Sequence, residues 1–382
     1  MNENYQNIVD EVIEIRRYLH ENPELPYKEF KTTKLIEKTL ENWGVKFHRF
    51  KNMETGGFAE VGEGKTILYR ADIDALPIKE DSCNEFCSQN EGVMHACGHD
   101  FHTAIALGLL KYFQTFPDRL NGKLRVVFQP AEEAAPGGAM FVVKENIWNN
   151  VVGILGIHVN SDDNPGEFSL SKSIANASTT SVSIILNGPG GHTSRPDQSI
   201  DLILTSCEYV TQMHPFIKNK IDPRDTVSFT FGKICGGHAH NAIPQTVELL
   251  GTLRTHSNEV LATTKKLIQS FLENFSKLHD MDIQIKYPTS CPVVHNDKEL
   301  ATKFIEYYKN NSDVPLISLE KPSMGADDFA YYLDKTPGLY LRVGGKGKGY
   351  AHTGGFVVNE DIIEPSIKHL TGFINQLFNT MD

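Results

Sequence analysis

The sequence has no run of about 18 consecutive apolar residues, the length a helix needs to cross a bilayer, so no membrane span is expected. It also lacks a cluster of Lys and Arg: 37 basic residues are spread along the chain against 48 acidic ones, a formal charge of -11. Nucleic-acid binding draws on clustered positive charge that displaces counterions from phosphates, so no nucleic-acid partner is expected. Cysteine is scarce. Six residues, at 83, 87, 97, 207, 235 and 291, are scattered over 382 positions, which is no disulfide framework. Five of them read as small buried side chains; Cys97 is set apart below. The opening MNENYQNIVDEVIEI has neither a basic n-region nor an apolar h-region, so a secretory signal is not expected. With free thiols, that points to the cytoplasm. No GxSxG occurs, which argues against a serine hydrolase of the α/β type. Gly64-Lys65-Thr66 resembles the end of a phosphate-binding loop, but the glycine required five residues earlier is Ala59, so the tripeptide reads as a hairpin turn. GGKGKGY, at 344–350, lacks the GxGxxG spacing of a nucleotide site.

What is present is enough apolar residue, 40% against 22% charged, for packed cores. The length predicts two or three domains at about 100–200 residues each. Apolar residues recur at helical spacing over 6–20, from Ile8 and Val12 to Ile15 and Leu19, and again over 32–43 and 103–113. TILYRADI (66–73), LRVVFQ (124–129) and 151–158 read as strands. The nearly all-apolar LRVVFQ marks a strand covered on both faces. Alternation of strand and helix predicts an α/β layer structure with a largely parallel sheet. The pattern changes near Asn176. Strands at 181–186, 226–234, 247–255 and 283–287, with helices at 200–221 and 260–278, give β-α-β-β-α-β, the ferredoxin-like order. After Pro292 the α/β pattern resumes. The expected organisation is one discontinuous α/β domain, 1–175 and 290–382, with an α+β domain of 176–289 inserted into it.

Four motifs carry chemistry. MHACGHDFHTA (94–104) holds His95, Cys97, His99 and His102. Thiolate and imidazole are the usual ligands of zinc-like ions. Cys97 and His99 would diverge on a helix, but on a turn both can point at one centre. His102 shares a helix face with His99 and is expected to support a ligand rather than bind. His95 reads as structural. FQPAEE (128–133) ends a buried strand with Glu132 and Glu133. Adjacent side chains point in different directions, so one carboxylate can ligate while the other moves a proton. GIHV (156–159) puts His158 at a strand end, the edge where α/β sheets place their sites. GYAHTGGF (349–356) sets His352 among glycines. Together these supply donors for two ions. Cys97 as an acyl-transfer nucleophile is the rival, but it leaves the paired glutamates, His158 and His352 without a role.

RRYLHENPEL (16–25), RADIDALPIKE (70–80), MHACGHD (94–100), FQPAEE, GIHV, GPGGHTSRP (188–196), GTLRT (251–255) and MGADDFAYYL (324–333) resemble, in order, the motifs of the aminoacylase, hippurate hydrolase and indole-acetyl-amino-acid hydrolase family. N-acetyldiaminopimelate deacetylases belong to the same group. The resemblance implies a di-metal aminopeptidase-like catalytic domain with an inserted ferredoxin-like lid. It implies that Cys97 bridges two divalent ions and that His99, Glu133, His158 and His352 complete their sites. The expected ions are Zn²⁺ or Mn²⁺, with Co²⁺ and Ni²⁺ as further candidates. Glu132 would be the general base and acid. Asp74 would orient a ligand, His192 would stabilise the oxyanion, and Asn241 and Arg254 would hold a substrate carboxylate. Lid domains in this family can also mediate a homodimer. The sequence departs from the family at Asp197, which follows Pro196 where a histidine is usual, at Asp327 in place of Glu, and at HTGGF in place of HxPxF. These departures touch substrate choice rather than the ligands.

The expected activity is hydrolysis of an N-acyl amino acid to a carboxylic acid and a free amino acid. A dipeptidase or carboxypeptidase shares this chemistry and differs in the pocket. A non-catalytic binding protein that kept the fold should have lost ligands, and the motifs have lost none.

Overall fold

Every residue of the strand Thr66–Asp72 is buried. A strand covered on both faces needs helices above and below it, and the structure, a computed structural model describing residues 3–81 and 85–380, supplies them. The chain divides into two compact units: Met1–Ala175, His295–Lys321 and Asp328–Asp382 form the first, Asn176–Val294 and Pro322–Asp327 the second. The second therefore takes in two stretches that sequence pattern leaves with the first. The reason is main-chain pairing: Ser290 and Cys291 pair with Thr180 and Thr179, and the Ala177 N–H donates to the carbonyls of Ser323 and Gly325 at 2.9 and 3.0 Å.

In the first unit, eight strands lie in the order Phe47–Arg49, Gly57–Gly62, Lys123–Gln129, Thr66–Asp72, Val151–Asn160, Gly338–Gly344, Phe168–Leu170 and Ile317–Ser318. The centre is parallel, from Lys123–Gln129 through Gly338–Gly344. Gly57–Gly62 and Phe168–Leu170 add antiparallel flanks, so the sheet is mixed. Lys123–Gln129 also lies between Gly57–Gly62 and Thr66–Asp72, so Gly64-Lys65-Thr66 turns the chain without forming a hairpin. The helix His99–Thr115 is buried on nearly all sides, packed with the helices Glu3–Glu21 and Ile363–Asn379. Phe101, Ile105 and Leu109 from it join Val12 and Ile367 in one core.

The second unit runs Ser178–Asn187, helix Leu202–Lys218, Val227–Gly236, Thr246–Thr255, helix Asn258–His279 and Asp282–Lys286. Its sheet order is Val227–Gly236, Thr246–Thr255, Ser178–Asn187, Asp282–Lys286, all antiparallel. That is the ferredoxin-like arrangement. Ser178–Asn187 alternates buried with half-buried residues, and its inner face packs Val182, Ile184 and Leu186 against Leu202, Tyr209 and Ile268. Two cysteines expected to be buried are exposed here, Cys207 and Cys235. Cys235 lies on the edge strand Val227–Gly236, whose end from Gly232 onward is open. Cys83 lies outside the described residues. No helix among the described residues is long and apolar enough to cross a membrane.

Candidate metal centre

The parallel strands deliver their C-terminal ends to one edge of the first unit, and the helix His99–Thr115 starts there. Gly98 caps it with φ +82. A Cβ at Gly98 would lie 2.3 Å from Cγ2 of Val159. Only glycine lets this turn come so close to the strand Val151–Asn160. The turn therefore sets Cys97 against His158, whose Nε2 is 3.3 Å from the Cys97 sulfur. His352 arrives by its main chain. Its N–H donates to the Ala96 carbonyl at 2.8 Å, and it takes a left-handed φ of 66°.

Donor atoms of Cys97, His99 and His158 lie within 4.8 Å of one another, and so do those of Cys97, Glu133 and His352. Cys97 belongs to both groups. Glu132 joins His99 and Glu133 in a third group at the same spacing. The ring nitrogens are sorted by their partners. His99 Nδ1 faces the Asp74 carbonyl at 3.0 Å and Asp74 Oδ1 at 3.2 Å. It faces two acceptors, so in the neutral ring that a metal ligand requires the proton sits on Nδ1 and Nε2 carries the lone pair. That Nε2 is buried without a hydrogen-bond partner. An orphaned buried nitrogen is destabilising by about 1–3 kcal/mol unless something fills its place, and a divalent cation would fit there. His158 Nδ1 likewise donates to the Val159 carbonyl at 2.6 Å, turning Nε2 toward Cys97. Hydrogen bonding to Cys97 and Glu133 pushes His352 up to about 10, while burial and the Glu133 charge push the Cys97 thiol up. The cluster thus favours positive charge among its anionic donors. The residues present fit a pair of divalent cations sharing one thiolate.

His102 separates from the donors. The Val159 N–H donates to its Nε2 at 3.0 Å, so Nδ1 holds the proton and gives it to Asp72. Both nitrogens are occupied, and His102 is a brace between helix and strand. Asp74 is fully buried and accepts the Glu133 N–H through Oδ2 at 2.9 Å. His95 is buried, and burial holds it neutral, down to about 3. Motif reading overlooked a second buried network, in which Asp100 takes Arg16 at 2.9 Å and His20 at 2.8 Å, and His20 reaches Glu80 at 3.2 Å. Arg16 and His20 share a helix face at a spacing of four, which was the available signal.

The sequence profile of the peptidase family M20/M25/M40 matches residues 68–376. The chain belongs to that family. It is a metal-dependent amidohydrolase, as the motif resemblance implied. An N-acetyldiaminopimelate deacetylase of Shouchella clausii is 34% identical over 96% of this chain and 98% of its own. A thermostable carboxypeptidase 2 of Saccharolobus solfataricus is 33% identical over 94% of this chain and 93% of its own. Among solved structures, a dinuclear metal-binding M20 peptidase of Bacillus subtilis superposes with a TM-score of 0.86 at 29% identity, covering 98% of this chain and 99% of that one.

The remaining residues carried over from the family lie in the second unit. His192 is exposed, and its Nδ1 accepts from the Ser194 N–H at 3.1 Å, which in the neutral ring leaves Nε2–H as a donor. It pairs with Ala242, and the Thr193 N–H donates to the Asn241 carbonyl at 3.2 Å, so His192 and Asn241 lie side by side on two paired segments. Arg254 does not join them. It sits at the far end of the strand Thr246–Thr255, about 27 Å from Thr246 at the rise of an extended strand, where its guanidinium donates to the Met324 carbonyl at 2.8 Å. Asp197 is exposed, and the Asp327 carbonyl accepts from the Cys291 thiol.

Proposed function

We propose that this M20 amidohydrolase hydrolyses the amide bond of small N-acyl amino acids with two divalent ions bound by Cys97, His99, Glu133, His158 and His352. The observation that carries the reading is the sharing of Cys97 by two donor triads with Glu132 beside them. When bound, such ions polarise the substrate carbonyl and acidify water. The chain's own groups do the rest. The Glu132 carboxylate accepts a proton from the attacking water and delivers it to the leaving nitrogen as the C–N bond breaks. Asp74 keeps His99 turned, with its proton on Nδ1. His192, held by Ser194 with Nε2–H outward, is assigned to the developing oxyanion, and Asn241 beside it to the substrate's carboxylate end.

Arg254 is also assigned to a substrate carboxylate. Arg254 lies near the end of Thr246–Thr255 away from Thr246, whereas His192 pairs with Ala242, just before that strand begins, so we assign the two to one substrate from different copies. A homodimer through the second unit would provide the two copies required, and sedimentation should find a dimer. Cytoplasmic location fits this chemistry. The preferred ions are Zn²⁺ or Mn²⁺, which thiolate, imidazole and carboxylate donors accommodate.

The test is a panel on metal-reconstituted protein: acetyl, benzoyl, succinyl and indole-acetyl amino acids, N-acetyldiaminopimelate and plain dipeptides. Activity should fall on chelation and return with added metal. Turnover of dipeptides alone would favour the carboxypeptidase reading that the Saccharolobus relative carries in its name.

A further inference from the structure

Glu29 stands at the N-cap of the helix Phe30–Asn42, yet its side chain makes no capping bond there. The cap is supplied by Glu24, whose carboxylate accepts from the N–H groups of Lys31 at 3.1 Å and Thr32 at 2.8 Å. The Glu29 carboxylate is turned inward and is fully buried. Its Oε1 accepts two backbone amides, from Tyr27 at 3.0 Å and Ala131 at 2.8 Å. Its Oε2 accepts the Thr55 hydroxyl at 2.7 Å. Both backbone donors are left-handed non-glycine residues, Tyr27 at φ 62 and Ala131 at φ 56. Such conformations persist only where surrounding contacts enforce them.

Ala131 immediately precedes Glu132 and Glu133. Its N–H is held by Glu29, and its carbonyl accepts from Gly138 at 2.8 Å. Two residues on, the Glu133 N–H donates to Asp74 at 2.9 Å. Reversing the φ of Ala131 would redirect both glutamates, because everything after that bond swings with it.

We propose that Glu29 is a positioning residue for the Glu132–Glu133 pair, its buried carboxylate holding Ala131 left-handed so that base and metal ligand face the centre. This rests on the roles given above to Glu132 and Glu133.

The experiment compares Glu29→Ala, Glu29→Gln and the double variant Glu29→Ala/Ala131→Gly as metal-reconstituted full-length protein, using the best substrate of the panel. Glu29→Ala is expected to lower kcat by on the order of 100-fold, the scale of a small misplacement of reacting groups, with KM held within roughly threefold. Glycine adopts positive φ without strain, so Ala131→Gly should return at least about tenfold of that loss in kcat per folded enzyme. Because the same change also relieves alanine strain and stabilises the fold, urea midpoints are measured alongside, and a gain in stability without a gain in kcat counts as absence of rescue. Glu29→Gln keeps an acceptor oxygen for both amides and should hold kcat within roughly threefold of the parent. It also serves if the alanine variant does not fold. Parental kcat in Glu29→Ala, absence of rescue by Ala131→Gly, or a glutamine variant as impaired as the alanine one would each overturn the proposal. Glu132→Gln run alongside separates the two readings: if it stays active, the assignment of Glu132 has failed instead.

Discussion

Asp74 Oδ2 accepts the backbone N–H of Glu133 at 2.9 Å. Its other oxygen lies 3.2 Å from His99 Nδ1, so one buried carboxylate orients a donor of each triad. Removing such a support typically weakens metal binding by about 10–100-fold. Asp74→Ala should show that loss in a competition titration against a chromogenic chelator, and unchanged affinity would refute the bridging role.

Glu132→Gln keeps the side-chain shape and removes the proton acceptor. The expected fall in kcat is about 10²–10⁴-fold, with metal content unchanged by elemental analysis. Ordinary turnover in the glutamine variant would remove Glu132 from the proton-transfer role.

Cys97 is common to both triads, so Cys97→Ala should disturb both ions together. The bound metal after reconstitution and desalting is expected to drop below one ion per chain. Retention of two ions would show that the thiolate is not shared.

His102 makes the opposite case. Its nitrogens are taken by Val159 and Asp72, so His102→Phe should still bind two ions when metal is saturating. It should lose stability in urea, because the Val159 N–H is left unpaired inside the protein at about 1–3 kcal/mol. Loss of one ion at saturation would make His102 a ligand after all.

His369 gives a pH dependence away from the centre. It packs on the rings of Phe168, Tyr307 and Tyr308, and burial lowers it from 6.5 to about 4. The unfolded chain therefore binds this proton first as pH falls. The stabilising contribution of the neutral ring is fully present above 6.5 and is lost progressively toward 4, with a ceiling of about 3 kcal/mol. His369→Phe should flatten the acid slope of urea stability over that window; an unchanged slope would rule His369 out as its source.

Local pattern carried a good deal of this protein. Helical spacing in 6–20 and the apolar run LRVVFQ marked elements that the structure contains as Glu3–Glu21 and Lys123–Gln129, because periodicity reports which face of an element is covered. The β-α-β-β-α-β order was legible because each element of the second unit is long enough to show its own period. Strand neighbours were not legible. Nothing in residues 57–72 shows that Lys123–Gln129 inserts between Gly57–Gly62 and Thr66–Asp72, since pairing depends on hydrogen bonds across the chain rather than along it.

The donor types at the centre were likewise determined by sequence alone: a thiol, imidazoles and carboxylates in short motifs already specify soft-to-intermediate metal chemistry. Which nitrogen is left open and which is taken up was decided only in three dimensions. His99 and His102 look alike in MHACGHDFHTA, and they part because Asp74 meets one ring and Val159 the other. Glu29 carries no signal in the sequence, and only the fold brings its carboxylate onto the amide of Ala131. A hydrogen bond selects its partner by direction and distance, and folding brings those partners together from 25 to 102 residues away.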